Sequence, residues 1–238
     1  MTGGAIQQPA TAMSQHRRFR WVIFKQGALL GLIGLMALLF LFQELIAPGW
    51  DLAFMATPAR VLEAWQAIRS GAGGGAAWWE LATLWSCSLL HADFSHILYN
   101  MLYLWVFAAL AADLLGQRWM LLIFCITAGC GSLCHTLLNA ESITPMLGAS
   151  GAVMGFEGAY LGLATRWRLP DPHVWPMTRP IPPGQLALLA LFGVAMDYAG
   201  LMDAAASRIA YGAHIGGFTA GLFLTALLAP KPPAARLH

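Results

Sequence analysis

Gly148-Ala149-Ser150-Gly151-Ala152-Val153-Met154-Gly155 is the stretch that decides how this chain is read. A polar-turn loop ends here and a long apolar run begins, with a serine at the junction. Further along, a lone histidine sits inside another apolar run, Ala213-His214-Ile215-Gly216-Gly217. In hydrocarbon a polar side chain costs free energy unless it has a partner or a task.

Composition says that the surroundings are indeed hydrocarbon. The chain is 58% hydrophobic and 10% charged, with mean hydropathy +0.63. A soluble domain carries about a quarter charged residues. A polytopic membrane protein follows. The formal charge of +2 is spread through loops, which gives no footprint for nucleic acid. Cys87, Cys125, Cys130 and Cys134 show no C-x-x-C or metal spacing, and the last three, within one apolar segment, read as small packing residues.

Six apolar segments, at about 24–46, 94–115, 119–139, 150–167, 184–202 and 207–229, approach the roughly 20 residues that a spanning helix needs. An all-α membrane bundle is expected, because each segment must satisfy its own backbone in lipid. The expected division is an N-terminal tail over 1–20, a six-span unit over 21–229 and a C-terminal tail over 230–238. Placing the N-terminus in the cytoplasm puts Arg17, Arg18, Arg20, Lys25, Arg118, Arg166, Arg168, Arg179, Lys231 and Arg236 inside. Only Arg60, Arg69 and Arg208 then lie outside, so the basic residues favour two cytoplasmic termini.

The first outer loop, about 47–93, holds an amphipathic stretch from Ala59 to Ile68, a glycine run and Trp78-Trp79-Glu80 with Trp85 nearby. Tryptophans at a span's margin anchor to headgroups, so this loop is expected to be partly embedded in the outer leaflet. The prolines of 168–183 mark an irregular connector. No internal repeat is visible, which weakens a transporter reading.

This topology brings the unusual residues to one level. His96 and Asn100 fall in the first two turns of segment two, on one helix face. Ser150 opens segment four, where free N–H groups and the helix dipole favour negative charge. His214 is expected about two turns into segment six, roughly 10 Å deep. A nucleophile (Ser150), a base (His214) and donors (the Ser150 backbone N–H, His96 and Asn100) are the parts of acyl transfer. Gly151 and Gly155 on segment four, and Ala213, Gly217 and Gly221 on segment six, form small-xxx-small stripes. Such stripes let helices approach closely, and facing each other they would bring Ser150 to His214. Glu157 lies about 10 Å below Ser150 on the same face and reads as a buried carboxyl holding segment four to a neighbour. Asp197 reads as a partner of Arg208 or a residue lining segment five. His135 and His173 read as structural or solvent-facing.

These residues resemble the rhomboid family of intramembrane serine proteases. His91-x4-His96-x3-Asn100, Gly148-Ala149-Ser150-Gly151 with Gly155, and Ala213-His214-x2-Gly217-x3-Gly221 look like the family's three motifs, in order. The resemblance covers about 90–229. It implies a six-helix core with a Ser150–His214 dyad, His96 and Asn100 as oxyanion-site residues, and His91 and Gly148 in support. It also implies no metal or organic cofactor, and membrane-protein helices as substrates, cut near the outer interface. The implied location is a bacterial inner (plasma) membrane. Two departures stand out: Glu80 follows Trp79 where many members have Trp-Arg, and Met154 stands where many have a tyrosine stacked under the histidine. H-E-x-x-H, G-x-S-x-G and paired aspartate motifs are absent from the sequence. The alternative is a proteolytically silent rhomboid-like chaperone or quality-control scaffold.

Overall fold

The computed structural model describes residues 15–170, 182–202, 209–233 and 235–237. Eight α-helices occur among them: α1 (Gln15–Leu45), α2 (Pro58–Arg69), α3 (Gly75–Ser86), α4 (Phe94–Leu115), α5 (Gln117–Leu138), α6 (Ser150–Arg166), α7 (Pro183–Met202) and α8 (Tyr211–Leu228). Four helices are long and apolar enough to cross a membrane: α1 from Lys25, α4, α5 and α8. The fold is all-helical, as expected. His173, Arg179, Arg208 and the side chains of Arg17, Arg18, Arg20 and Asp197 lie outside the description.

α6 is the axis of the bundle. It is buried on nearly every side, from Gly151 to Tyr160 without a break, and packs on α4, α5, α7 and α8. A helix apolar all round belongs in a core, but four neighbours fit only if some approach is very close. Glycine supplies it. A Cβ on Gly217 would lie 1.9 Å from the Gly151 carbonyl, and one on Gly221 would lie 1.9 Å from that of Gly155. The two stripes therefore do face each other. The contact runs further than its two motifs: Gly158 abuts the Phe218 carbonyl, and Gly162 abuts Thr225. Thr225 Oγ1 donates to the Ala159 carbonyl at 2.8 Å, a polar tie within this close-packed seam. At the far end Arg166 Nη1 donates to the Thr225 and Ala229 carbonyls (3.2 and 2.9 Å), capping α8.

Several boundaries differ from expectation. The first helix begins at Gln15, inside the stretch read as a tail. Residues after α8 fold back: Ala235 joins the core, and Arg168 and Arg236 exchange backbone hydrogen bonds of 2.8 and 3.0 Å. The final helix starts at Tyr211 rather than near 207, because Ile209 and Ala210 are turned. His214 thus sits in the first turn, about 5 Å from the helix start, shallower than expected. Cys125 and Cys130 point outward rather than into the packing.

The first connection is a structured unit. α2 covers the amphipathic stretch, with Pro58 at its start and Val61 and Ala64 inward. α3 lies against it through an Arg60–Glu80 ion pair, so the glutamate after Trp79 has a partner within the loop. Trp79 and Trp85 donate their ring N–H groups to the Ala53 and Cys125 carbonyls while their faces stay exposed.

Gly221→Ala is expected to force α6 and α8 apart and cost about 1–3 kcal/mol, as overpacking does. Gly34→Ala, where nothing lies within 4 Å of an added Cβ, is the control. Thermal unfolding in detergent should lower the midpoint for the first variant and leave the second unchanged.

Candidate active site

The zipper of α6 and α8 ends at Ser150 and His214. Ser150 Oγ and His214 Nε2 are 2.8 Å apart, within hydrogen-bond distance. Ser150 is the first residue of α6, and its N-cap, Ala149, offers no side-chain cap. The first-turn N–H groups are therefore open to an incoming negative charge. His214 is steadied from its own helix by Tyr211, edge-on at 6.2 Å between ring centroids. Tyr211 was not singled out in the sequence, although its place three residues before the histidine makes them helix neighbours.

The loop before Ser150 is held by the first connection. Ala56 and Met146 pair as an isolated β-bridge, Ala59 N–H donates to the Ser142 carbonyl at 3.1 Å, and Gly148 N–H donates to the Cys87 carbonyl at 2.9 Å. Gly148 has φ +125°, a conformation that suits glycine, and a Cβ there would lie 2.8 Å from Nε2 and Cε1 of His96. Only glycine lets this histidine lie over the loop. Burial pushes the neighbouring Cys87 thiol up to about 11, so it stays protonated beside Ser132 Oγ at 3.3 Å. Sequence reasoning missed Ala56, Cys87 and Met146, since their task is carried mainly by backbone atoms.

His96 is fixed by two contacts. Its N–H is accepted by Asp93 Oδ1, the N-cap of α4, at 2.8 Å. Its Nδ1 accepts from Ala92 N–H at 3.2 Å. A neutral ring accepting at Nδ1 carries its proton on Nε2, the atom that faces Gly148. His96 is thereby a donor aimed at the loop before Ser150. Asn100, one turn along, donates from Nδ2 to the His96 carbonyl at 2.9 Å. One amide proton is used there and one remains.

His91 lies behind this wall. It is fully buried, edge-on to His96 at 5.2 Å, and its carbonyl accepts from Gln43 Nε2 at 3.2 Å. Neither ring nitrogen has a hydrogen-bond partner among the described residues. Burial, and after it the repulsion that a proton shared with the adjacent His96 would meet, lower its pKa to about 3, so the ring is neutral.

The supporting glycines divide their duties. Gly151, Gly217 and Gly221 serve the α6–α8 contact, while the missing Cβ of Gly155 makes room for Thr127 of α5. Met154 packs with Ala190 and Phe218, and its terminal methyl points at Gly193 of α7. Glu157, also buried, faces the same glycine: a Cβ on Gly193 would lie 3.4 Å from its Oε2. Met154, one of the two departures from the expected pattern, and the buried Glu157 thus both lie where α6 meets α7.

Comparison with known proteins agrees with the residue-level resemblance. A family profile described as Rhomboid domain matches residues 75–231. YdcA of Bacillus subtilis (strain 168), which carries a rhomboid-protease name, is 32% identical over 45% of this chain and 54% of its own. RHOMBOID-like protein 5 and RHOMBOID-like protein 1 of Arabidopsis thaliana are 28% and 32% identical over 62% and 64% of this chain. These matches span 44% and 36% of the two plant proteins, so the chain covers about half or less of its curated relatives' lengths.

Burial of His91 makes stability pH-dependent. Unfolded, the imidazole takes a proton below about pH 6.5; folded, it resists protonation down to about pH 3. Within that window the unfolded chain binds more protons, so stability falls as pH falls, by up to about 1.4 kcal/mol per pH unit. The measurement is thermal unfolding between pH 7 and 4. His91→Phe should flatten the profile relative to wild type, and parallel profiles would contradict this account.

Proposed function

Because the chain belongs to the rhomboid family, and is with its apolar helices an integral membrane protein, we propose that it is an intramembrane serine endopeptidase. The observation that carries this reading is the 2.8 Å contact between Ser150 Oγ and His214 Nε2 at the open N-terminus of α6. His214 takes the hydroxyl proton as Ser150 attacks a peptide carbonyl. The oxyanion is met by the Ser150 N–H, by Nε2–H of His96 and by the second amide proton of Asn100. His214 then protonates the leaving amine, and water releases the acyl-enzyme.

The proposed topology has six spans, α1, α4, α5, α6, α7 and α8, forming a unit over 21–229 with both termini in the cytoplasm. α6, at 17 residues, is about 26 Å long. The hydrocarbon layer is about 30 Å thick, so Ser150 is recessed below the outer boundary. Substrates are transmembrane helices of other proteins, unwound locally and cut near that interface. They enter past α7, which packs on α6 and α8 and exposes Leu188, Phe192 and Tyr198. The first connection, with Trp65, Trp78, Trp79 and Trp85 exposed, rests in the outer leaflet. A bacterial plasma membrane is the proposed location.

Ser150→Ala and His214→Ala should each reduce cleavage of a single-span reporter by at least about a thousandfold, and His96→Ala by about 10²–10³. Retained cleavage in both dyad variants would sink the assignment. A fluorophosphonate probe separates protease from silent scaffold: Ser150-dependent labelling supports the first, and its absence in folded protein supports the second.

A further inference from the structure

The end of the bundle opposite Ser150 contains a cavity of about 460 Å³. Its polar lining comes from Lys25, Asp113, Gln117 and Lys231, and its apolar lining includes Leu115 and Pro230. Among the described residues, the apolar stretches of the four helices long and apolar enough to cross a membrane all reach one of their limits here. Lys25 opens the apolar window of α1, Leu115 closes α4, Gln117 opens α5, and Pro230 lies just beyond Leu228, where α8 stops. A cavity at the shared ends of four spans lies at the level where lipid headgroups begin.

The charges at this cavity are held in place. Lys25 pairs with Asp113 across α1 and α4 at 3.6 Å, both partly exposed. Lys231 lies on the segment after α8, fastened on either side by buried Ala229 and Ala235 and by the Arg168–Arg236 hydrogen bonds. The first turn of α5 begins after Gly116, which has no capping side chain, and its positive dipole end is offset here by the C-terminal ends of α4 and α8. Among the described residues that line the cavity, two ammonium groups stand against one carboxylate, beside an apolar rim. We propose that this cavity binds a phospholipid headgroup, with Lys25 and Lys231 taking its phosphodiester and its acyl chains running along the lipid-facing helices.

Basic recesses between spanning helices bind headgroups by joining charge attraction to apolar contact. A free phosphate ester offers the same anion without the chains. An occupant bridging α1, the α4–α5 turn and the segment after α8 would stabilise the folded state by binding it selectively. This inference rests on membrane embedding and not on the dyad, so loss of proteolysis leaves it standing.

Native mass spectrometry of the full chain in detergent tests it, with phosphatidylethanolamine, phosphatidylglycerol or sn-glycerol 3-phosphate titrated in. Wild type should retain one phospholipid. Lys231→Gln should weaken retention about five-fold, and adding Lys25→Gln should weaken it further by a similar factor. Arg69→Gln, in the first connection, should retain lipid as wild type does. Lys231→Gln alone carries the test where loss of the Lys25–Asp113 pair lowers the lipid-free unfolding midpoint. Undiminished retention in Lys231→Gln, or equal loss in Arg69→Gln, would overturn the site. Binding of glycerol 3-phosphate as tight as that of phospholipid would overturn the lipid as occupant.

Discussion

The close approach of α6 and α8 is the constraint on which the rest of the structure depends. Within a membrane, helices gain nothing by hiding apolar side chains from lipid, so association rests on close packing. Here glycines bring one helix's backbone against the other's carbonyls, from Gly151 and Gly217 down to Gly162 and Thr225. That contact fixes both the distance and the register of the two helices. Ser150 and His214 lie at its open end, so their 2.8 Å separation follows from the seam below them.

A hydrogen bond between two side chains is not yet a site. The loop before Ser150 must be placed, and the first connection does this through backbone hydrogen bonds from Ala56, Ala59 and Cys87. His96 must be turned with its donor toward that loop, and Asp93 and Ala92 do this at the start of α4. Each of these groups sits at a helix end or in a turn, where backbone groups lack helical partners and are free to bond elsewhere. The rigid seam sets depth, and the unsatisfied helix ends set orientation.

Burial at the site has costs. His91 gives up both of its ring hydrogen bonds to the described protein groups in exchange for its place behind His96. α7 meets α6 at Gly193, opposite a methionine and a buried carboxyl, and Met154 is an adaptable side chain that fills irregular space. The α6–α7 contact is thus chemically unlike the glycine-packed α6–α8 seam, and this is the side from which a substrate helix is proposed to enter.

Much of this was legible in the residues. Hydrophobic run lengths announced a helical membrane protein, because in lipid each segment must satisfy its own backbone. The spacing of Ser150, His214 and the flanking glycines pointed to two helices in close contact, because side chains four apart share a helix face. The start of the last helix was misread, since Ile209 and Ala210 are apolar but turned, and hydropathy does not register a bend. The stabilising role of Ala56, Cys87 and Met146 was invisible, because backbone hydrogen bonds leave little mark on side-chain identity. Cys125 and Cys130 were misread as packing residues, because an all-apolar helix has no polar face to orient it. Sequence by itself determined which groups are available and which helical segment carries each. Only the tertiary structure decided which of them meet, because that depends on how closely particular backbones pack.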